Sequence, residues 1–271
     1  MPRRQIKASV SDWRRGMVLL VIGIALIAGL GYAAWYLRAT RIQLDAENCP
    51  RAGPRAIHVI IFDRSDPITR LQAQQIEQIL HRLRGEAKFG YRFDLFTFEG
   101  DTKSVLQPIL RVCSPQRYEE ANELIENPER VKKVYEEKFS AVLDRTIAEL
   151  LIESTRDSSP IIESLKAAAI TSFGQVERGK LPLRITLVSD MVQHSALFSH
   201  LRSDFDFSAL ARSSVWATLR PDLKGATVDI LYLLRPSAKR GGTPIQSRGH
   251  QTFWEQLILG SGGRLQSVEP L

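Results

Sequence analysis

Met17 to Leu37 is a run of 21 residues without a charge, MVLLVIGIALIAGLGYAAWYL. A helix that is apolar on every face has no side to turn to water, which disfavours a place in an ordinary soluble core. At ~1.5 Å rise per residue the run spans the ~30 Å hydrocarbon layer of a bilayer. Trp13 precedes it and Trp35–Tyr36 close it, as an aromatic belt at each interface would. The competing reading is a secretory signal peptide, with Gly31-Tyr32-Ala33 as its cleavage site; the apolar region of such a peptide runs ~7–15 residues, and this one is longer. The expected organisation is a basic tail (1–16), a transmembrane helix (17–37), a stalk or linker (38–56) and one α/β domain (57–271).

Charge follows the same division. Residues 1–41 carry seven Lys/Arg and one Asp, whereas residues 42–271 carry 30 basic against 29 acidic groups. Of the formal charge of +7, +6 thus belongs to residues 1–41, and the nearly neutral remainder has no footprint for nucleic acid. Arg3, Arg4, Lys7, Arg14 and Arg15 precede the span; Arg38, Arg41, Arg51 and Arg55 follow it, diluted by Asp45 and Glu47. This bias favours the tail in the cytoplasm and the domain outside, in the periplasm of a bacterial envelope. Ala25, Gly29 and Ala33 form a small-residue stripe that offers self-association through the span.

Two cysteines, Cys49 and Cys113, exclude a zinc ribbon and a disulfide-dense toxin. In an oxidising compartment the pair suits one disulfide; two unpaired thiols are the alternative.

Beyond the stalk, strands alternate with helical stretches. His58–Phe62 reads as a strand buried on both faces, followed by a helix from Pro67 to about Arg84. Arg92–Phe98 and Val105–Val112 read as strands, and Arg117–Glu126 as a helical piece. Asn127-Pro128 caps a helix to about Glu153 with a solvated charged face, and Ser158-Ser159-Pro160 restarts one to about Gln175. Strands at Arg184–Ser189 and Val228–Leu234, a helix at Gln251–Leu259 and an edge strand at Arg264–Val268 complete the pattern. The expected fold is α/β, a doubly wound and mostly parallel sheet.

Ligands bind such sheets at the carboxyl ends of strands. Asp63 and Ser65 follow the first strand in IIFDRSDP, and Ser189 and Asp190 end ITLVSDM. A third polar loop, opening at Asp157, offers Ser158 and Ser159 just before a helix. Carboxylates and hydroxyls converging there suit a hard cation such as Mg²⁺. Loop capping by the two aspartates is the plainer alternative.

At these residues the sequence resembles a von Willebrand factor A (VWA) domain across about residues 57–269. That family's metal-ion-dependent adhesion site takes an Asp-x-Ser-x-Ser loop, a Thr from a later loop and an Asp after the fourth strand. Asp63 and Ser65 match the first two positions, Ser159-Pro160-Ile161 resembles the Thr loop, and Asp190 fits the last Asp. Pro67 stands where the third loop hydroxyl belongs and removes one direct ligand. The resemblance implies Mg²⁺ or Mn²⁺ at Asp63, Ser65, Ser159 and Asp190, with an open position for a partner's carboxylate.

Other chemistries lack their residues. A haloacid-dehalogenase-like phosphatase needs a second Asp where Ser65 stands, and neither a P-loop nor a Gly-x-Ser-x-Gly elbow occurs. Gly260-Ser261-Gly262-Gly263 reads as a helix cap, Lys239-Arg240-Gly241-Gly242 as a solvated turn, and His194 and His200 as surface histidines. The expected function is a membrane-anchored, non-enzymatic protein-binding or assembly module that engages other envelope proteins. The alternative is a metal-free structural scaffold in an envelope machine of the secretion or conjugation type.

Overall fold

A computed structural model describes residues 10–39, 42–97, 106–121, 126–152, 157–235, 239–240 and 243–271. The chain divides after Gln43 into an N-terminal unit and a compact unit, Leu44–Leu271. The first unit contains α1 (Val10–Ala39), which runs through the whole uncharged stretch. Between Trp13 and Ala39 an 18-residue stretch has a mean hydropathy of 2.4, making this one helix long and apolar enough to cross a membrane. Its large apolar side chains are exposed all round, and Tyr32 contacts Trp35 and Tyr36 near its end.

The compact unit opens with β1 (Ala56–Phe62), α2 (Arg70–Glu86), β2 (Tyr91–Thr97), β3 (Leu110–Cys113), α3 (Pro128–Tyr135), α4 (Ala141–Leu150) and α5 (Ile161–Phe173). It continues with β4 (Leu183–Ser189), α6 (Phe207–Arg212), α7 (Ser214–Leu219), β5 (Thr227–Tyr232), β6 (Lys239–Arg240), β7 (Thr243–Pro244), α8 (Arg248–Gly260) and β8 (Arg264–Pro270). The main sheet has the order β3-β2-β1-β4-β5-β8, and β6 and β7 pair separately. Every pairing in the main sheet is parallel except β2 with β3. The mostly parallel α/β fold expected from the sequence is the fold observed.

β1 is buried along its whole length because it serves two cores. Ile57, Val59 and Ile61 join α5 and α8 on one face, and Ile60 and Phe62 join α2 and α4 on the other. Chain direction across the sheet reverses between β1 and β4: β1 leads to β2 on one side, and β4 leads to β5 on the other. That reversal opens a crevice at the carboxyl ends of the two strands.

Local chemistry moves several boundaries. α2 starts at Arg70, not Pro67, because Thr69 and Gln72 form a capping box: Gln72 N donates to Thr69 Oγ1 (3.2 Å) and Thr69 N to Gln72 Oε1 (3.1 Å). Pro67 stays in the loop. β3 is shorter than Val105–Val112 and antiparallel; Pro108, which has no N–H for a ladder, lies before it, and Val105 lies outside the described residues. Within Arg117–Glu126 the described residues include a 3₁₀ turn, Tyr118–Glu120, at the start of the expected helix; 122–125 lie outside the described residues.

Asn127 caps α3 as expected, accepting from the N–H groups of Glu129 and Arg130. A π-turn at Glu136–Ser140 then separates α3, which buries nothing, from α4, which buries Leu143, Ile147 and Leu150. The charged face is solvated in both halves, with Glu136, Glu137, Lys138, Arg145 and Glu149 exposed; the expected end at Glu153 lies outside the described residues. Lys239-Arg240 is the first strand of a small hairpin, with Gly241 and Gly242 outside the described residues. Phe98, the expected end of β2, also lies outside them.

Cys49 and Cys113 are joined in a disulfide with a Cα–Cα distance of 4.9 Å, tying the segment before β1 to β3.

The Gly260–Gly263 stretch does close α8: Gly262 adopts φ +74° and Gly263 N donates to Ile258 O at 3.0 Å. At Gly263 the need is for space, because a Cβ would stand 2.7 Å from Leu223 Cδ1 and 3.3 Å from Ala226 O. Gly263→Ala is expected to destabilise by about 1–3 kcal/mol through overpacking, read as a lower denaturant midpoint at unchanged slope.

Candidate functional site

The crevice between β1 and β4 gathers the sequence-predicted residues. Asp63 leaves β1 with its carboxylate turned inward, and its backbone N donates to Val188 O of β4 at 2.9 Å. Its Oδ1 accepts from Ser65 N at 3.0 Å, and its Oδ2 accepts from Ser159 Oγ at 2.9 Å and Ser189 Oγ at 2.7 Å. Asp63 is 3% exposed and Asp190 4%, and Ser65, Ser159 and Ser189 are buried with them. Pro67 is exposed in its loop and supplies no oxygen from its side chain.

Three loops are stitched together there. Ser159 and His194 exchange backbone hydrogen bonds at 2.9 and 2.8 Å, fixing the loop before α5 against the loop after β4. Gln193 Oε1 accepts from Ile162 N at 2.9 Å, and Gln193 Nε2 donates to Glu163 and Ser195. Gln246 Nε2 donates to the carbonyls of Asp190 and Leu233, at 2.9 and 2.8 Å.

Asp190 is the anomalous group. Burial, then the charge of Asp63, pushes its carboxyl well above the usual range, against an opposing hydrogen bond from Val192 N at 2.8 Å. Two buried carboxylates beside each other resist joint ionisation unless a cation joins them.

Met191, the next residue, adopts φ +61°, a left-handed conformation that costs a non-glycine residue ~1–2 kcal/mol. The turn presents its N–H to Ser189 Oγ (2.7 Å) and its carbonyl to Trp254 Nε1 (2.9 Å) and His250 Nε2 (2.9 Å). With Tyr232 OH 2.6 Å from His250 Nδ1, the network assigns the proton of His250 to Nε2. Burial lowers the pKa of His250 to about 4, so the ring is neutral near pH 7. α8 thus holds the strained turn from beneath.

Ser189, Met191, Gln193, Gln246 and this ring network were not assigned by sequence reasoning to the metal set. Ser189 had a visible signal, a hydroxyl beside Asp190; the others depend on tertiary packing. The reading of His200 as a surface residue is corrected: its ring is fully buried, edge-on to Phe198, Phe205 and Phe253. His194 is half-buried, with Nδ1 2.7 Å from Ser199 Oγ. Ser199 is itself buried and its Oγ also accepts from Leu201 N, so this Ser–His contact braces a loop and presents no nucleophile. A second acidic cluster, Asp45, Glu47 and Cys49, is exposed at its carboxylates, and its sulfur is committed to the disulfide.

No family profile and no curated protein match this chain. Among solved structures it is similar to an aerotolerance-related membrane protein from Bacteroides fragilis NCTC 9343 carrying multiple mutations to serines, at 14% identity and a TM-score of 0.36, over 80% of this chain and 91% of that one. Proximal thread matrix protein 1 from the mussel byssus is 12% identical at a TM-score of 0.38, over 80% of this chain and 42% of that one. PilB minor pilin from Streptococcus sanguinis is 12% identical at 0.43, over 82% and 59%. Likenesses this slight decide neither family nor function.

Proposed function

We propose that the chain is a membrane-anchored, outward-facing VWA-like module that binds or assembles partner proteins through a divalent cation and is not an enzyme. One observation carries the reading: Asp63 and Asp190 are buried together at the point where the sheet changes direction, among the hydroxyls of Ser65, Ser159 and Ser189. The donor set is hard oxygen throughout, which suits Mg²⁺ or Mn²⁺. Ser159 Oγ donates a hydrogen bond to Asp63, which leaves an oxygen lone pair for a cation. Asp63, Ser65, Ser159 and Asp190 would hold the ion, which when bound supplies Lewis-acid positions for a partner's carboxylate. The chain's own residues orient the site: Ser189 fixes Asp63, Val192 fixes Asp190, and Gln246 and Trp254 fix the loop between them.

The basic tail and the apolar α1 support a single-pass anchor with the domain outside, and the Cys49–Cys113 disulfide fits an oxidising compartment there. The stripe Ala25, Gly29 and Ala33 is offered for self-association in the membrane.

A specific observation favours the second reading, a metal-free scaffold. Both oxygens of Asp63 already have internal donors, and Pro67 leaves the loop one hydroxyl short. Calorimetric titration of the full chain in nanodiscs with Mg²⁺ and with Mn²⁺ separates the two. Saturable binding is expected, lost in Asp63→Ala and Asp190→Asn; the second variant should fold normally, since burial already drives that carboxyl towards its neutral form. Absence of ion binding to the folded wild type, with partner contacts that survive EDTA, would overturn the cation-dependent reading.

A further inference from the structure

A cleft of about 660 Å³ lies at the other end of the sheet, where β1 and β2 begin and the chain enters β4. Its lining combines Arg92 and Arg111 with Ile57, Ile170 and Leu181. Both arginines converge on one acid, Asp94, which is fully buried. Arg92 Nη2 donates to Asp94 Oδ2 at 2.9 Å, and Arg111 Nε donates to Asp94 Oδ1 at 3.0 Å. Two guanidiniums on one carboxylate leave a surplus positive charge at the wall of the cleft.

The neighbouring groups do not cancel it. Glu177 is paired with Lys180 at 3.3 Å. Glu47, which feels the charges of both Arg111 and Arg92, is exposed and makes no ion pair with either among the described residues, so it offsets the surplus only in part. The carbonyls ending α5 are taken: Arg92 Nη2 donates to Ser172 O at 2.9 Å, and Lys224 Nζ donates to Phe173 O, Gly174 O and Val176 O. Arg92 is 15% exposed, and its Nε is buried with no hydrogen-bond partner among the described residues. Burial shields that Nε from the cleft, so the donors Arg92 can turn to a bound group are its Nη N–H groups. The cleft also has room for much more than a bare ion, and its aliphatic wall suits a short apolar segment.

We infer that this cleft binds a small oxyanion, a carboxylate or a phosphomonoester, carrying an apolar segment that lies along Ile57, Ile170 and Leu181. The oxyanion faces Arg92 and Arg111 through the Nη N–H groups that Asp94 and Ser172 O leave unused. The site stands apart from the Asp63–Asp190 crevice and does not depend on a cation there.

Equilibrium dialysis of the full chain in phosphatidylcholine nanodiscs, corrected with empty nanodiscs, tests this with hexanoate, hexyl phosphate, hexanol and hexyltrimethylammonium. Both anions are expected to bind saturably while the alcohol and the cation do not; the tighter anion identifies the source of the oxyanion. Arg111→Gln should weaken binding at least about tenfold. Should that variant misfold, Ile170→Glu keeps the test open: Ile170 is 57% exposed, and a carboxylate there would compete for the arginines without disturbing the core. Neither anion exceeding empty nanodiscs, or a folded Ile170→Glu binding hexanoate and hexyl phosphate as the wild type does, would refute the inference.

Discussion

Cys49→Ala/Cys113→Ala is expected to lower the stability of the compact unit by about 4 kcal/mol, the chain-entropy value for a bridge closing a loop with a sequence separation of 64. The loop it closes contains β1, α2 and β2 in full. Without the bridge, the unfolded chain regains the freedom to separate the segment before β1 from the antiparallel edge strand. The native state keeps some independent ties: Cys113 N donates to Glu47 O at 2.9 Å, and Cys49 N to Asp45 Oδ1 at 2.8 Å. Only the first joins the two segments, and a hydrogen bond of ~1 kcal/mol does not replace the constraint. Both cysteines are buried, so the alanine pair also loses packing, which adds to the entropic loss. At this chain length the change should appear as a fall in Tm of about 8–16 °C, followed by the fluorescence of the buried Trp216 and Trp254. A loss below about 1 kcal/mol would mean that the unfolded chain holds these segments together without the bridge.

The same bridge shows how far the sequence could be read. Two cysteines allow one intrachain pairing, so its location followed once a disulfide was assumed. β1 was legible because a run buried on both faces needs no alternation, and HVIIF has none. The helix after it was misplaced because Pro67 is a stronger start signal on paper than Thr69, although Thr69 and Gln72 form the capping box. Asp63 and Asp190 could be singled out because each directly follows an apolar strand, and chain order alone puts those strand ends at one edge. What held them could not be read. The left-handed turn at Met191 gives no signal in a residue type that rarely adopts it, and its partners His250 and Trp254 lie about sixty residues away. His200 sits in a mixed segment, between Ser199 and Leu201, and its burial depends on Phe253 of α8 closing over it together with Phe198 and Phe205.

Acidification should destabilise the domain through His58, and His58→Gln should remove that part of the effect. His58 lies on β1 opposite Arg184 of β4 and Phe93 of β2, with Nε2 2.8 Å from Thr186 Oγ1 and its ring 5.4 Å from that of Phe93. Burial, and then the positive charge of Arg184, lower its pKa from 6.5 to about 3. The folded pKa is therefore below the unfolded one, and between these values the unfolded chain binds a proton that the folded domain refuses. Stability from this group is complete above pH 6.5 and falls as the pH drops towards 3. Each pH unit inside that window costs up to about 1.4 kcal/mol, so the wild type should lose about 2–3 kcal/mol between about pH 6.5 and 4.5 from His58 alone. His250 acts in the same direction, whereas Asp190, with its raised pKa, opposes it, since its folded form keeps a proton that the unfolded chain releases. Comparing wild type with His58→Gln at each pH cancels both. Glutamine places an Nε2 where the imidazole had one, preserving the contact to Thr186 without a titrating ring. Urea unfolding at about pH 7.5 and pH 4.5 should show a loss smaller in the variant by about 2 kcal/mol. Equal losses in the two proteins would mean that His58 takes up its proton without leaving the sheet.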